Sequence, residues 1–199
     1  MKRRELREPY PWLHQWFCGS RTGIQKIMNI VLIGYRGTGK STVAQILSDR
    51  LQWPTFTVDE EIVAETGMSI PQIVKTHGWD FFRDLESKVV SRAGKMDRTI
   101  IDTGGGIIVR EENIDILRKN GTIIWLKAAP ESIARRIKDD TQRPSLTGHK
   151  SFLEEVEEVL NERTPRYRRA ADLEIETSNC SPEVIAEKIL TYLEVKLLL

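Results

Sequence analysis

The sequence predicts an α/β fold in which a five-stranded, mostly parallel sheet carries helices on both faces. From Met28 onward, short apolar segments rich in β-branched residues alternate with segments of helical periodicity. A glycine-rich loop lies between the first predicted strand and the first predicted helix. Such sheets bind ligands beyond the carboxyl ends of their strands. At 199 residues, the chain is long enough to bury the core of one domain.

The predicted elements follow one another without an internal repeat or a low-complexity linker. The last helix begins after Ser181-Pro182, because serine caps helices and proline suits the first helical position. The predicted strands are 29–33, 54–58, 99–103, 122–126 and 173–176. The predicted helices are about 40–51, 79–95, 111–118, 131–138, 151–170 and from 182 onward.

The composition is that of an ordinary globular protein, with 40% hydrophobic and 30% charged residues. A net charge of +1 argues against a protein built mainly to bind nucleic acid. No apolar run approaches the length of a membrane span. Cys18 and Cys180 lie far apart and form no metal-spaced cluster, so a reduced, cytoplasmic protein is expected.

Residues 1–27 form an N-terminal extension that differs from the predicted domain at 28–199. Its basic residues are interleaved with aromatic ones, a composition that also suits a membrane surface or nucleic acid. The simpler expectation is a poorly ordered extension, or one that packs its aromatic side chains on the domain, since termini are commonly loose. A third interpretation makes Met28 the functional start.

The glycine-rich loop, Gly34–Ser41, fits the P-loop pattern G-x-x-x-x-G-K-[ST]. It follows a buried strand and opens a helix, so a chance glycine turn is disfavoured. Backbone N–H groups of the loop and the helix N-terminus favour a polyphosphate. We expect Lys40, as a solvent-facing charge, to reach the β- and γ-phosphates of ATP and Ser41 to hold Mg²⁺. The predicted nucleotide-binding residues here are Gly37, Thr38, Gly39, Lys40, Ser41 and Thr42.

A second glycine-rich segment, Thr99–Gly106, ends an apolar strand in an acid followed by three glycines. An acid at this point is the Walker B pattern, which predicts that Asp102 holds Mg²⁺. The three glycines leave a backbone surface that a ligand can approach closely. The alternative makes Asp102 a turn residue and the glycines a tight corner.

A second carboxylate, Asp59, is predicted to end the second strand, opposite the P-loop. There it could accept a hydrogen bond from a hydroxyl group that is about to be phosphorylated. The alternative role is a helix N-cap, and the two roles are compatible. Arginines could also surround the site and clamp a carboxylate or a phosphate, although each alone is more commonly a surface charge. These candidates are Arg83, Arg136, Arg143 and Arg168.

Together these motifs resemble those of the shikimate kinase family, from about Met28 to the C-terminus. The resemblance implies a three-layer P-loop kinase fold and ATP-dependent phosphorylation of the 3-hydroxyl of shikimate, in aromatic amino-acid biosynthesis. The motifs that carry it are Gly34–Thr42, Asp59 with 66–70, Phe82–Glu86, Gly104–Gly106, Arg143–Leu146 and Tyr167-Arg168.

The resemblance also implies roles for residues. It places a helical substrate-binding region near 59–90 and a lid near 138–151. Lys40, Asp59 and Arg143 are implied to be catalytic, with Arg143 in the lid reaching phosphate and substrate. Arg136 is implied to stack on adenine. The implied shikimate-binding residues are Asp59, Arg83, Gly104, Gly105, Gly106 and Arg168.

The chain departs from the family pattern at the end of the second strand. The family commonly has D-x-D there, with its first Asp near the Mg²⁺ water shell, whereas this chain has Thr57-Val58-Asp59. Asp102 stands where the family often has a small or neutral residue, so we expect it to return a carboxylate to the metal. The lid segment Arg143–Leu146 reads R-P-S-L in place of the usual R-P-L-L.

Two other functions stay open on the sequence alone. One is a kinase of another small hydroxylated metabolite, such as gluconate or a nucleoside. The other is a non-catalytic nucleotide-binding switch, against which Lys40, Asp59 and Asp102 argue. The expected partners are shikimate and ATP with Mg²⁺, without nucleic acid or membrane, and the expected state is a monomer.

Overall fold

The computed structural model describes residues 29–137 and 152–198. The N-terminal extension, the predicted lid at 138–151 and Arg143 lie outside the described residues. The helices are α1 (Lys40–Leu51), α2 (Val58–Thr66), α3 (Ile70–Ala93), α4 (Glu111–Arg118), α5 (Pro130–Ile137), α6 (Phe152–Ala170) and α7 (Pro182–Leu198). The strands are β1 (Asn29–Ile33), β2 (Thr55–Thr57), β3 (Thr99–Asp102), β4 (Gly121–Lys127) and β5 (Leu173–Glu176).

The five strands form one parallel sheet in the order β2-β3-β1-β4-β5, which confirms the predicted fold class. The central strand β1 pairs with β3 and β4, from Asn29 opposite Thr99 to Ile33 opposite Trp125. The carboxyl ends of β1, β2 and β3 therefore meet at one edge of the sheet. The loops that follow these three strands carry the predicted site.

Alternate residues of the central strands bury against helices on opposite faces of the sheet, as strand geometry requires. Ile30 and Leu32 pack toward α1 and α7, whereas Val31 and Ile33 pack in a second core with residues of α3, α4 and α6. All four side chains are fully buried. Helices thus cover both faces and hold the loops at the carboxyl edge against a rigid base.

The region after β2 differs from the expectation based on periodicity. Strand β2 ends at Thr57 and Val58 already begins α2, whereas the predicted strand ran to 58. Helix α3 begins at Ile70, nine residues before the predicted start at 79, and it is interrupted at Gly78, where φ is 84° and ψ is 173°. The helical region near 59–90 agrees with the family resemblance. Within the described ranges, no helix is long and apolar enough to cross a membrane.

Candidate active site

The P-loop folds as a tight turn between β1 and α1. Gly39 is the N-cap of α1, and its φ of 91° lies in the left-handed region that favours glycine. Lys40 is the first residue of α1, and its Nζ donates to the carbonyl oxygens of Gly34 and Tyr35, at 2.9 and 3.1 Å. The lysine is 8% exposed, so the expected solvent-facing charge is instead a buried ammonium group that lies over the loop.

Ser41 and Asp102 meet across the carboxyl edge of β1 and β3. The Ser41 hydroxyl donates to Oδ2 of Asp102 at 2.6 Å, and Asp102 is 4% exposed. Thr57 is the register partner of Asp102 on the neighbouring strand β2. All three residues line one cavity with Lys40 and Thr42, which we call the nucleotide cavity.

The donor set at this point fits Mg²⁺. In nucleotide sites the ion commonly takes one or two carboxylates, keeps several waters and uses substrate phosphates as further ligands. Among the described residues, no three His, Cys, Asp or Glu side chains converge to hold a metal. The single carboxylate beside the P-loop serine therefore resembles a site that binds Mg²⁺ together with a nucleotide. It does not resemble a site built entirely from protein ligands.

Asp59 lies in the first turn of α2, where Thr57 is the N-cap, so both the predicted strand end and the alternative N-cap role are corrected. It lines the nucleotide cavity and also a second cavity, which we call the acceptor cavity. Asp59 is thus positioned where a hydroxyl group in one cavity would face a phosphate in the other.

The acceptor cavity is organised by a buried ion pair on α3. Nη1 of Arg83 lies 2.7 Å from Oε2 of Glu86, and the two side chains are 10% and 1% exposed. Burial raises the pKa of Glu86 above its ordinary value, although the charge and hydrogen bond of Arg83 oppose the shift. Glu86 Oε1 is buried without a hydrogen-bond partner among the described residues, so a ligand hydroxyl could bond to it.

Glycines form the opposite wall of the acceptor cavity because side chains would not fit there. A Cβ at Gly106 would collide with the Arg83 guanidinium, and one at Gly104 would lie 2.7 Å from Asp59 Oδ1. All three glycines, Gly104 to Gly106, line the cavity. The absence of side chains brings backbone groups directly to the arginine and the carboxylates.

Helix α6 contributes Arg163 to the acceptor cavity, and this corrects the prediction for Arg168. Nη1 of Arg163 donates to the Gly105 carbonyl at 3.2 Å, and the Tyr167 hydroxyl donates to the same oxygen. Arg168 is 63% exposed at its side chain and pairs with Glu174 on β5. In the described part of the chain, Arg163 lines the cavity and Arg168 does not.

Arg136 lies in the last turn of α5, next to the P-loop. Its guanidinium donates to the Gly37 carbonyl at 3.2 Å and to the Thr177 carbonyl at 2.8 Å. The arginine therefore bridges the P-loop and the segment after β5. This position at the rim of the loop is compatible with its predicted contact with adenine.

The motif analysis assigned no site role to several residues that line the acceptor cavity. Arg163 and Tyr167 are four residues apart, so the helical repeat that brings Tyr167 to the glycine loop also indicates Arg163. The structure adds seven residues to the predicted lining: Tyr35, Arg36, Ile70, Trp79, Phe82, Glu86 and Arg163.

Comparison with known proteins identifies the family. A family model described as shikimate kinase matches residues 36–194. The shikimate kinase of Caldicellulosiruptor bescii is 42% identical over 82% of this chain and 94% of its own length. A solved shikimate kinase from Acinetobacter baumannii, in complex with shikimate, matches with a TM-score of 0.81 and 31% identity, over 85% of this chain and 94% of its own. The Aquifex aeolicus shikimate kinase matches with a TM-score of 0.72 and 33% identity, over 86% of this chain and 99% of its own.

Proposed function

The chain belongs to the shikimate kinase family, and from this premise we propose how its residues carry out the reaction. The activity is ATP-dependent phosphorylation of shikimate at its 3-hydroxyl, with Mg²⁺ accompanying the nucleotide. The relatives do not favour the alternatives of a gluconate- or nucleoside-like kinase or of a non-catalytic switch.

One observation supports the residue roles most strongly: the nucleotide cavity and the acceptor cavity adjoin at Asp59. We propose that Asp59 orients the 3-hydroxyl of shikimate and accepts its proton as the phosphoryl group is transferred. Asp59 lies in the first turn of helix α2, so its backbone position is set by the fold before substrate binds.

Arg83 and Arg163 form the proposed clamp for the shikimate carboxylate, which replaces the predicted pair of Arg83 and Arg168. Both arginines line the acceptor cavity, and guanidinium groups bind carboxylates with paired hydrogen bonds. Glu86 holds Arg83 in place, and backbone groups of Gly104 to Gly106 complete the wall around the shikimate ring.

On the nucleotide side, we propose that Gly37 to Thr42 bind the phosphates of ATP and that Arg136 stacks on adenine. The Lys40 ammonium neutralises charge that develops on the transferred group. Ser41 and Asp102 would hold Mg²⁺, which when bound supplies positive charge to the phosphate oxygens. Arg143 keeps its proposed role as a lid residue that contacts phosphate and substrate.

We further propose that the enzyme works as a monomer in the cytoplasm, without nucleic acid or a membrane as a partner. The net charge of +1 and the wide separation of the two cysteines support this proposal. Sedimentation at assay concentrations checks the monomer.

The reaction is tested by ADP release from the purified protein with shikimate, quinate, gluconate and nucleosides as acceptors. We expect shikimate to give the highest kcat/KM, and we expect Lys40→Ala to remove most of the turnover. A preference for gluconate or a nucleoside would contradict the assignment, as would full activity in a folded Lys40→Ala protein.

A further inference from the structure

Arg36, in the P-loop, lies at the junction of the two cavities. Within the described residues, Arg36 and Asp59 are the two that line both the nucleotide cavity and the acceptor cavity. A phosphoryl group that moves from ATP to shikimate must pass this junction. A cation and a carboxylate therefore both border the path of transfer.

The backbone around Arg36 lies directly against the second glycine loop. A Cβ placed at Gly105 would come within 3.2 Å of the Arg36 backbone nitrogen and 3.5 Å of the Gly34 carbonyl oxygen. The P-loop backbone at this residue therefore lies so close to Gly105 that a side chain there would crowd it. Movement of Arg36 relative to the acceptor cavity is correspondingly restricted.

The side chain of Arg36 is held by a buried ion pair with helix α6. Its Nη2 lies 3.1 Å from Oε1 of Glu155, and the side chains are 10% and 4% exposed. The guanidinium also lies 5.6 Å from the centre of the Tyr35 ring. A charge fixed in this way needs little reorganisation during the reaction, which is the condition for strong electrostatic stabilisation.

We propose that Arg36 is a further catalytic residue, whose guanidinium contacts the transferring phosphoryl group, and that Glu155 is the residue that positions it. The proposal rests on the kinase activity described above. In the step, the bond between the γ-phosphorus and the β,γ-bridging oxygen breaks and ADP leaves. A bond forms from the shikimate 3-oxygen to the phosphorus, and the hydroxyl proton passes to Asp59.

The chemistry of the group suits this role. Negative charge is spread over the equatorial oxygens of the transferring group, and a planar guanidinium can donate to two of them. Among the described residues, Arg83 and Arg163 supply two cations for the carboxylate of the acceptor, and Arg36 is the cation that lines both cavities.

The test compares the double variant Arg36→Met/Glu155→Gln, which removes both charges of the buried pair, with Arg36→Lys, which keeps the cation. A matched control is Arg50→Met/Glu187→Gln, which removes the surface pair on α1 and α7. We expect kcat of the first variant to fall by about 100-fold or more. The lysine variant should retain part of the activity, and the control should behave as wild type.

A second readout separates catalysis from structure. Calorimetry should give nearly unchanged dissociation constants of the Arg36→Met/Glu155→Gln protein for shikimate and for ADP. Its affinity for aluminium fluoride in the presence of ADP, Mg²⁺ and shikimate, where the fluoride mimics the transferring phosphoryl group, should fall with kcat. Thermal melts check that each variant is folded.

Three results would overturn the proposal. One is wild-type kcat in the folded double variant, and another is wild-type kcat together with wild-type fluoride affinity in Arg36→Lys. The third is a loss of shikimate affinity that accounts for the whole fall in kcat/KM, which would make Arg36 a binding residue. If the wild-type protein does not phosphorylate shikimate at all, the assigned function fails instead, so the two failures are distinguishable.

Discussion

Arg163 and Arg168 differ in surroundings because five residues along a helix turn the side chain by about 140° from its starting direction. Arg163 therefore shares the face of α6 that carries Tyr167 to the glycine loop, and Arg168 faces β5. Arg163→Ala should raise the KM for shikimate by roughly 30-fold, since removing one partner of a desolvated charge pair costs about 2 kcal/mol or more.

Arg168→Ala is the matched control for that variant, because its exposed pair with Glu174 is worth about 0–1 kcal/mol of stability. Steady-state kinetics of both proteins, with shikimate and ATP varied in turn, make the comparison. A large effect of Arg168→Ala on the KM for shikimate, with a small one of Arg163→Ala, would restore the original assignment.

Asp102 carries the carboxylate that we assign to the metal, and Thr57 stands beside it on the next strand. Asp102→Asn should raise the Mg²⁺ concentration needed for half-maximal activity and weaken Mg²⁺-dependent ADP binding, with little change in shikimate affinity. Thr57→Asp in the Asp102→Asn protein should restore part of the loss, because adjacent strands lie about 4.8 Å apart and either can present the charge.

Magnesium titrations, calorimetry with ADP and thermal melts on the single and double variants make this comparison. The competing account treats Asp102 as a turn residue, in which case its loss acts on stability. An unchanged Mg²⁺ dependence with a lowered melting temperature in Asp102→Asn would support that account and refute the metal role.

Glu86 makes the free energy of unfolding depend on pH. Because burial raises the pKa of Glu86 above its ordinary value of 4.5, the native state binds more protons than the unfolded state between the two pKa values. Stability contributed by this group is fully present below the ordinary pKa and is lost as pH rises through the higher, native one. Glu86→Gln should therefore gain stability relative to wild type as pH rises above 4.5.

Urea unfolding of both proteins at a series of pH values measures that difference. Arg83 is the same in both proteins, and its attraction for ionised Glu86 is already part of the pKa shift that the difference reports. A difference between the two unfolding free energies that does not vary with pH would contradict the raised pKa.

At the scale of elements, the break at Gly78 orients the part of α3 that lines the acceptor cavity. Its φ of 84° and ψ of 173° interrupt the helix, and this backbone conformation is essentially restricted to glycine. The residues after the break include Trp79, Phe82, Arg83 and Glu86, all of which line the acceptor cavity. Gly78→Asn should destabilise the protein by about 1–3 kcal/mol and weaken shikimate binding.

Gly67 provides a matched position, since its φ of 63° and ψ of 12° lie in the left-handed helical region that asparagine tolerates. No described residue lies within 4 Å of a Cβ added at either glycine, so crowding among them does not distinguish the two positions. Unfolding free energies and shikimate titrations of Gly67→Asn and Gly78→Asn should therefore differ. Equal effects of the two substitutions would show that the backbone conformation at residue 78 does not determine stability or shikimate binding.

The same region shows which elements sequence periodicity could predict. Strands β1 and β5 and helices α1 and α4 were predicted with correct bounds, because continuous apolar runs or regular apolar spacing mark them. Helix α2 was missed by periodicity because only nine residues separate the end of β2 from Gly67, and much of the segment is acidic. The start of α3 was missed because Gly78 breaks its repeat.

Among site residues, those in glycine motifs were predictable because their spacing is itself the signal. The Lys40 ammonium group was expected to face solvent, and Arg163 was not predicted, since these positions depend on how a side chain folds back and on which way a helix faces. The role proposed for Arg36 could not be predicted from the sequence, because it depends on this residue lining both cavities.

At the scale of the whole molecule, side-chain hydrogen bonds hold the first residue of the described domain in place. Asn29 is 1% exposed, its Oδ1 accepts from the Thr99 backbone N–H at 3.1 Å, and its Nδ2 donates to the Met96 carbonyl at 2.8 Å. These bonds tie the start of the central strand to the start of β3. Deleting residues 1–26 leaves them intact, so we expect the truncated protein to keep its melting temperature, its kcat and its KM for shikimate.

Asn29→Ala in the full chain is the variant with which the truncated protein is compared. The substitution leaves the buried Thr99 N–H without its side-chain acceptor, which should lower stability by about 1–3 kcal/mol. Thermal melts and kinetics of the two proteins therefore test where the domain begins. If the truncated protein unfolds or loses activity while Asn29→Ala does not, the aromatic residues of the extension are part of the core or of the site, and the boundary at residue 28 is wrong.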